Sequence, residues 1–251
     1  MDATTMGRVR DDVRIGVGRA VAYIGAVAFI TAASWYILAV KSVTVASEPE
    51  FSAGLPEEEK LRIFFRWVVS TLPQERLYTS IAIVAFLCLA ATVILVRSSI
   101  SRGSSAALVG AFAVSTGSTL WIVGNVVQLG AHRAVGVMVT HPAGSLSNAS
   151  DLFFTADLID DAFEVTAFAV IGVGMLALAA ASFVSSTNRF WMGSTTAIGI
   201  VMPVTSIAYL ADQGDLTDLL LVLGGVVLLP AWLIATGRLL TRRLMLDGRP
   251  V

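Results

Sequence analysis

Six stretches of about 20 mostly apolar residues recur along the chain, and few folds are open to a sequence with that pattern. They run approximately 20–40, 78–96, 104–129, 163–184, 191–211 and 218–240. In hydrocarbon no water pairs with backbone N–H and C=O groups, so each stretch must satisfy its own as a helix. A chain that is 56% hydrophobic and 14% charged, with mean hydropathy +0.80, also has too little polar material to clothe a water-facing surface. The expected fold is therefore all-α, a six-transmembrane-helix bundle forming one integral membrane domain over residues 1–251.

Arginine placement predicts how that bundle is threaded, because short cytoplasmic segments are enriched in Lys and Arg. Arg8, Arg10, Arg14 and Arg19 precede the first stretch, Arg97 and Arg102 separate the second and third, Arg189 lies between the fourth and fifth, and Arg238, Arg242 and Arg243 close the sixth. The alternate connections are acidic: Glu48, Glu50, Glu57, Glu58 and Glu59, then Asp151, Asp157, Asp160 and Asp161, then Asp212 and Asp215. Both termini are expected in the cytoplasm, as an N-terminal segment 1–19 and a tail 241–251, with outer loops at 41–77 and 130–162. The first stretch reads as a retained helix, since it exceeds the usual ~7–15 residue signal core and no small-x-small cleavage site follows Val40.

Within the first outer loop, Pro56 and the glutamates after it make a helix start, with preset φ and carboxylates at the positive end of the dipole. Leu61, Phe64, Phe65, Val68 and Leu72 then recur at helical spacing, while Glu58, Arg62 and Arg66 follow one another on another face. An amphipathic surface helix closed by Pro73 is the expectation. Lys41 and Lys60 are the only lysines in an Arg- and Ala-rich chain, which suits a bacterial cytoplasmic (inner) membrane protein of multi-pass type. Net charge −1 gives no basic field for nucleic acid, and the single Cys88 excludes an intramolecular disulfide. Asn148-Ala149-Ser150 is read as an ordinary polar loop rather than a glycosylation acceptor.

The third stretch is oily yet carries a polar line. At about 100° per residue, Ser118, Trp121, Asn125, Gln128 and His132 fall within an arc of roughly 80°. Such groups are costly in lipid unless they meet partners or water inside the protein. At the start of the fourth stretch Asp157, Asp160, Asp161 and Glu164 are spaced i, i+3, i+4 and i+7, so that Asp157, Asp161 and Glu164 share a face. Antiparallel threading sets His132 and Gln128 at about the depth of Asp161 and Glu164. Asn125, Gln128, His132, Asp161 and Glu164 are thus the candidate binding residues, lining an outward-facing polar cavity between helices 3 and 4. Asp157 and Asp160 are read instead as a solvated acidic helix entrance.

His132, His141, Asp161 and Glu164 are of metal-ligating type, but no His-x-x-x-His spacing fixes a geometry. No cofactor motif occurs, and neither a phosphate-binding loop, a nucleophile elbow nor a zinc-protease helix is present. No catalytic residue is assigned. Pro203 and Pro230 interrupt the last two stretches, and Gly174, Ala177, Ala181 and Ser185 make a small-residue groove on the fourth. The halves of the chain show no matching repeat, the prolines of helices 5 and 6 having no counterparts in 2 and 3.

The stretch "GVGMLALAAASFVSSTNRFWMGSTTAIGIV" resembles a broad group of uncharacterised six-helix bacterial integral membrane proteins of the unknown-function type. In that group a Gly-rich helix, a short Arg-containing turn and a second small-residue helix follow one another. The resemblance covers the last three helices and implies the topology but no activity. Function is accordingly expected to be that of a non-catalytic accessory or scaffold subunit, with the lipid bilayer and a membrane protein or a second copy as partners. Binding or transport of a proton, cation or small polar solute is the alternative, and a metal-dependent membrane enzyme ranks last.

Overall fold

The computed structural model of the protein describes residues 3–41, 49, 54–100, 104–141, 144–184 and 189–246. All regular elements among them are helical, and six helices are long and apolar enough to cross a membrane. α1 (Ala3–Trp35) ends in a π-helical stretch (Tyr36–Lys41); α2 is Glu57–Ile100, α3 Ser105–Thr140, α4 Leu146–Val184 and α5 Arg189–Leu210. The last span is built from α6 (Gly214–Leu221), a second π-helical stretch (Val222–Leu228) and α7 (Leu229–Leu246). Glu48, Glu50, Arg102 and Ser185, named above, lie outside the described residues.

α2 starts where its sequence predicts and does not stop where expected. The Pro56 carbonyl accepts from the backbone of Glu59 and Lys60 at 3.0 and 3.1 Å, and Glu57–Lys60 and Glu58–Arg62 pairs brace the first turns. Pro73 is carried inside one 44-residue helix rather than closing it. The cause lies in phase: Phe65, Val68 and Leu72 before the proline and Thr79, Ala82 and Phe86 after it fall on one buried face. A break at Pro73 would turn half of that face out of contact. The amphipathic segment is therefore continuous with the second span as one helix.

The expected outer loop 130–162 is corrected in the same way. α3 runs on to Thr140 and α4 begins at Leu146, leaving a turn in which Gly144 donates to the His141 carbonyl at 2.9 Å. Helix is favoured over loop here because Phe65, Val68, Val135, Ala149 and Phe153 bury one another as a second small core. α2, α3 and α4, with 44, 36 and 39 residues, extend about 66, 54 and 58 Å at 1.5 Å per residue. A hydrocarbon layer is about 30 Å thick. The 22 residues of α5 only just exceed it, so these three long helices continue past the end of the bundle that carries the α5–α6 turn.

α3 and α4 form an antiparallel pair in backbone contact. Gly110, Gly117 and Gly124 repeat every seven residues on α3. A Cβ at Gly117 would stand 2.7 Å from the Ala167 carbonyl, and one at Gly124 would stand 2.7 Å from Asp160 Oδ1 and 2.8 Å from Phe163 Cβ. The heptad repeat keeps this seam facing α4 along its length. Of the expected groove on α4, Gly174 and Ala181 are buried and Ala177 is half-buried. Outward-facing positions such as Phe112, Leu158 and Leu210 are apolar and more than two-thirds exposed, at 72%, 70% and 74%, as suits lipid.

At the other end of the bundle α5 and α7 are joined by a reciprocal clasp. Trp191 Nε1 donates to Thr236 Oγ1 at 2.7 Å and Trp232 Nε1 donates to Thr195 Oγ1 at 2.8 Å. Each threonine hydroxyl donates in turn to the carbonyl of the tryptophan four residues earlier, Thr195 to Trp191 at 2.6 Å and Thr236 to Trp232 at 2.8 Å. All four side chains are buried and every indole N–H and hydroxyl is used. Pro203 sits on Gly172, and the neighbouring Ser206 hydroxyl donates to the Val165 carbonyl at 2.8 Å. Pro230 follows the second π stretch, where the Leu229 N–H reaches back to the Gly224 carbonyl. Widening the turn is one way a helix absorbs a proline that has no N–H to give.

Candidate functional site

The polar line on α3 faces into the protein and meets α4, one turn away from the expected register. His132 Nε2 lies 3.2 Å from Asp157 Oδ1, and Gln128 Nε2 donates to the same oxygen at 3.1 Å. Asp161 instead neighbours Tyr209 of α5. Glu164 accepts from Trp121 Nε1 at 3.3 Å, and Asn125 donates to the carbonyl of Trp121 on its own helix at 3.0 Å. Asp160, 6% exposed, is thus no solvated entrance, while Asp157 keeps 31% of its side chain exposed and is held by two side chains of α3. The reason is the glycine seam, which brings α4 so close that its acidic turn enters the interior.

Glu75 is a member of this network that sequence reasoning missed. Its Oε2 lies 3.4 Å from His132 Nδ1 and its Oε1 accepts from Thr71 at 3.1 Å. The imidazole therefore stands between carboxyls of α2 and α4, stacked on Phe153 with centroids 4.7 Å apart. A signal was available: Glu75 is seven residues after Val68, within about 20° of it on the helical wheel, on the apolar face rather than the charged one. Only the presumed stop at Pro73 hid it.

Below this layer lies a cavity of about 310 Å³. α3 and α4 are too close to hold it between them; they form one wall, with Trp121, Asn125, Gln128, Asp160, Glu164 and Phe168. The facing wall comes from α1, α2 and the last span, including Phe29, Tyr36, Tyr78, Phe86, Asp218 and Gly225. Both π-helical stretches reach it, the first through Tyr36 and Ile37 and the second through Val222, Gly225 and Val226. Such widened turns often accompany functional sites. Rings line up in contact around it: Phe86 stacks on Trp121 at 4.3 Å, and Phe29–Phe86 and Tyr36–Tyr78 each stand at 5.2 Å.

Asp160, Glu164 and Asp218 bring carboxyls to this cavity, and no Lys, Arg or His lines it among the described residues. Asp160 Oδ1 is buried without a hydrogen-bond partner, the only such atom of an acidic side chain among those described. A buried polar group of this kind costs about 1–3 kcal/mol if nothing answers it. Asn125 and Gln128 reach the cavity with Glu164; His132 and Asp161 do not line it.

The weak metal set is not assembled. His141 caps the far end of α3 and is exposed, nine residues and about 13 Å along the helix from the buried His132. Among the described residues no group of three or more His, Cys, Asp or Glu side chains could hold a metal ion. The chain matches no protein-family model, no curated protein and no solved structure, so the chemistry of the site rests on its own geometry.

Proposed function

We propose that this multi-pass membrane protein binds a positively charged solute in the cavity lined by its six spans, as a receptor, carrier or conductor rather than a catalyst. The observation that carries the reading is a cavity that three carboxyls, of Asp160, Glu164 and Asp218, line from both sides and that no basic side chain among the described residues lines, with Asp160 Oδ1 buried beside it without a donor. A cation is the partner whose binding offsets that desolvation most directly. Arginine placement supports both termini inward in a bacterial cytoplasmic membrane, with α2 entering from an outer amphipathic segment and the cavity in the outer half. The His132 layer then stands between the cavity and the projecting ends of α2, α3 and α4, where it ties those helices together.

The test uses the purified full chain in detergent with a panel of inorganic and organic monovalent and divalent cations. At least one cation is expected to raise the melting temperature of the wild type, and Asp160→Asn and Glu164→Gln are expected to abolish that rise. If no cation shifts the wild type, the reading fails and an accessory or scaffold role takes its place.

A further inference from the structure

Resting on the cavity as a cation site, we infer that its ligand is an organic ammonium cation, with a head group of about trimethylammonium size or larger, and not a metal ion. Volume is the first ground. At about 310 Å³ the cavity has room for about ten waters at about 30 Å³ each, a space suited to small organic ligands and far too large to coordinate a bare ion.

The chemistry of the lining is the second ground. Ca²⁺ takes 6–8 oxygen ligands and Mg²⁺ demands an octahedron of them, whereas no three acidic or histidine side chains converge closely enough here among the described residues. What surrounds the carboxyls is aromatic: Phe29, Tyr36, Tyr78, Phe86, Trp121 and Phe168. Ring faces attract a diffuse cation through their quadrupole and do so best when water is excluded. A substituted ammonium carries little hydration to lose and offers alkyl surface to the same rings, while a metal ion or hydrated sodium would surrender strong water contacts for weak ones.

The arrangement of the two kinds of group is the third. Asp160 and Glu164 stand on α4, Asp218 on the last span, and Tyr36, Tyr78 and Phe86 on α1 and α2. A ligand in the cavity thus meets carboxyls from α4 and the last span and rings from α1 and α2. The Asp160 carboxyl, 6% exposed and with its Oδ1 packed against Gly124 without a donor, adds countercharge that no protein cation neutralises among the described lining residues.

Equilibrium dialysis of the full chain in detergent decides the matter, with choline as the probe and 3,3-dimethylbutan-1-ol, in which carbon replaces the nitrogen, as its neutral counterpart. Saturable choline binding is expected, with the alcohol at least about tenfold weaker, since it lacks the charge that ring faces and carboxylates attract. Phe86→Leu and Asp160→Asn should each weaken choline about tenfold, and Phe86→Tyr, which keeps a ring face, should stay within about threefold of wild type. Equal binding of the alcohol would overturn the inference, as would a Phe86→Leu protein that binds choline normally. Binding of sodium or magnesium ions without choline would overturn it while leaving the cation cavity standing; no binding of any cation would remove both.

Discussion

The Trp191–Trp232 clasp and the Asp160 carboxyl handle burial in opposite ways. In the Trp191–Trp232 clasp, donors and acceptors are matched within the protein, indole to hydroxyl and hydroxyl to carbonyl. Beside the cavity at the far end of α5, a carboxyl oxygen of Asp160 is buried with none. A closed network specifies one packing and asks for nothing further. An open one costs stability that only a bound partner restores, the usual mark of a site shaped for something other than folding. The difference separates structural from functional polarity within one chain without any appeal to relatives.

The contrast breaks first at the clasp. Trp232→Ala removes a fully buried indole together with its hydrogen bond to the Thr195 hydroxyl, and should cost about 3–5 kcal/mol in denaturant unfolding of the detergent-solubilised protein. A loss below about 1 kcal/mol would mean that the clasp does not hold α5 to α7. Of intermediate size and opposite sign, Asp160→Asn should stabilise the ligand-free protein by about 1 kcal/mol while removing cation binding. Destabilisation by the same amount would place Asp160 among the structural groups and erase the distinction. Smallest is Thr236→Val, which deletes one hydroxyl and should cost about 0.6 kcal/mol, the average for polar contacts between helices in membranes. A double-mutant cycle with Trp191→Phe checks that this energy belongs to the pair.

How much of this was legible in the sequence depends on whether a feature is local or needs a neighbour. The spans follow from hydropathy alone, and the inward turn of Gln128 and His132 follows from the cost of leaving them in lipid. Partner identity did not follow. Asp157 and Asp160 read as a solvated entrance because a wheel diagram of α4 cannot show that Gly124 lets α3 close over them. Glu75 was discarded with the loop, since Pro73 is a good helix terminator locally and loses only to burial of the face on both its sides. The rings opposite the carboxyls come from α1, α2 and the last span, and nothing in the sequence of any one helix says that Tyr36 will stand 5.2 Å from Tyr78.

The glycine seam carries a mechanical consequence. With its α3 glycines pressed on the backbone and side chains of α4, the carboxyl-bearing wall cannot slide or part without first breaking a close-packed interface. That wall is the anvil of the site. Any widening that admits a guest must come from the opposite side, where α1 and the last span meet the cavity through loosened π turns.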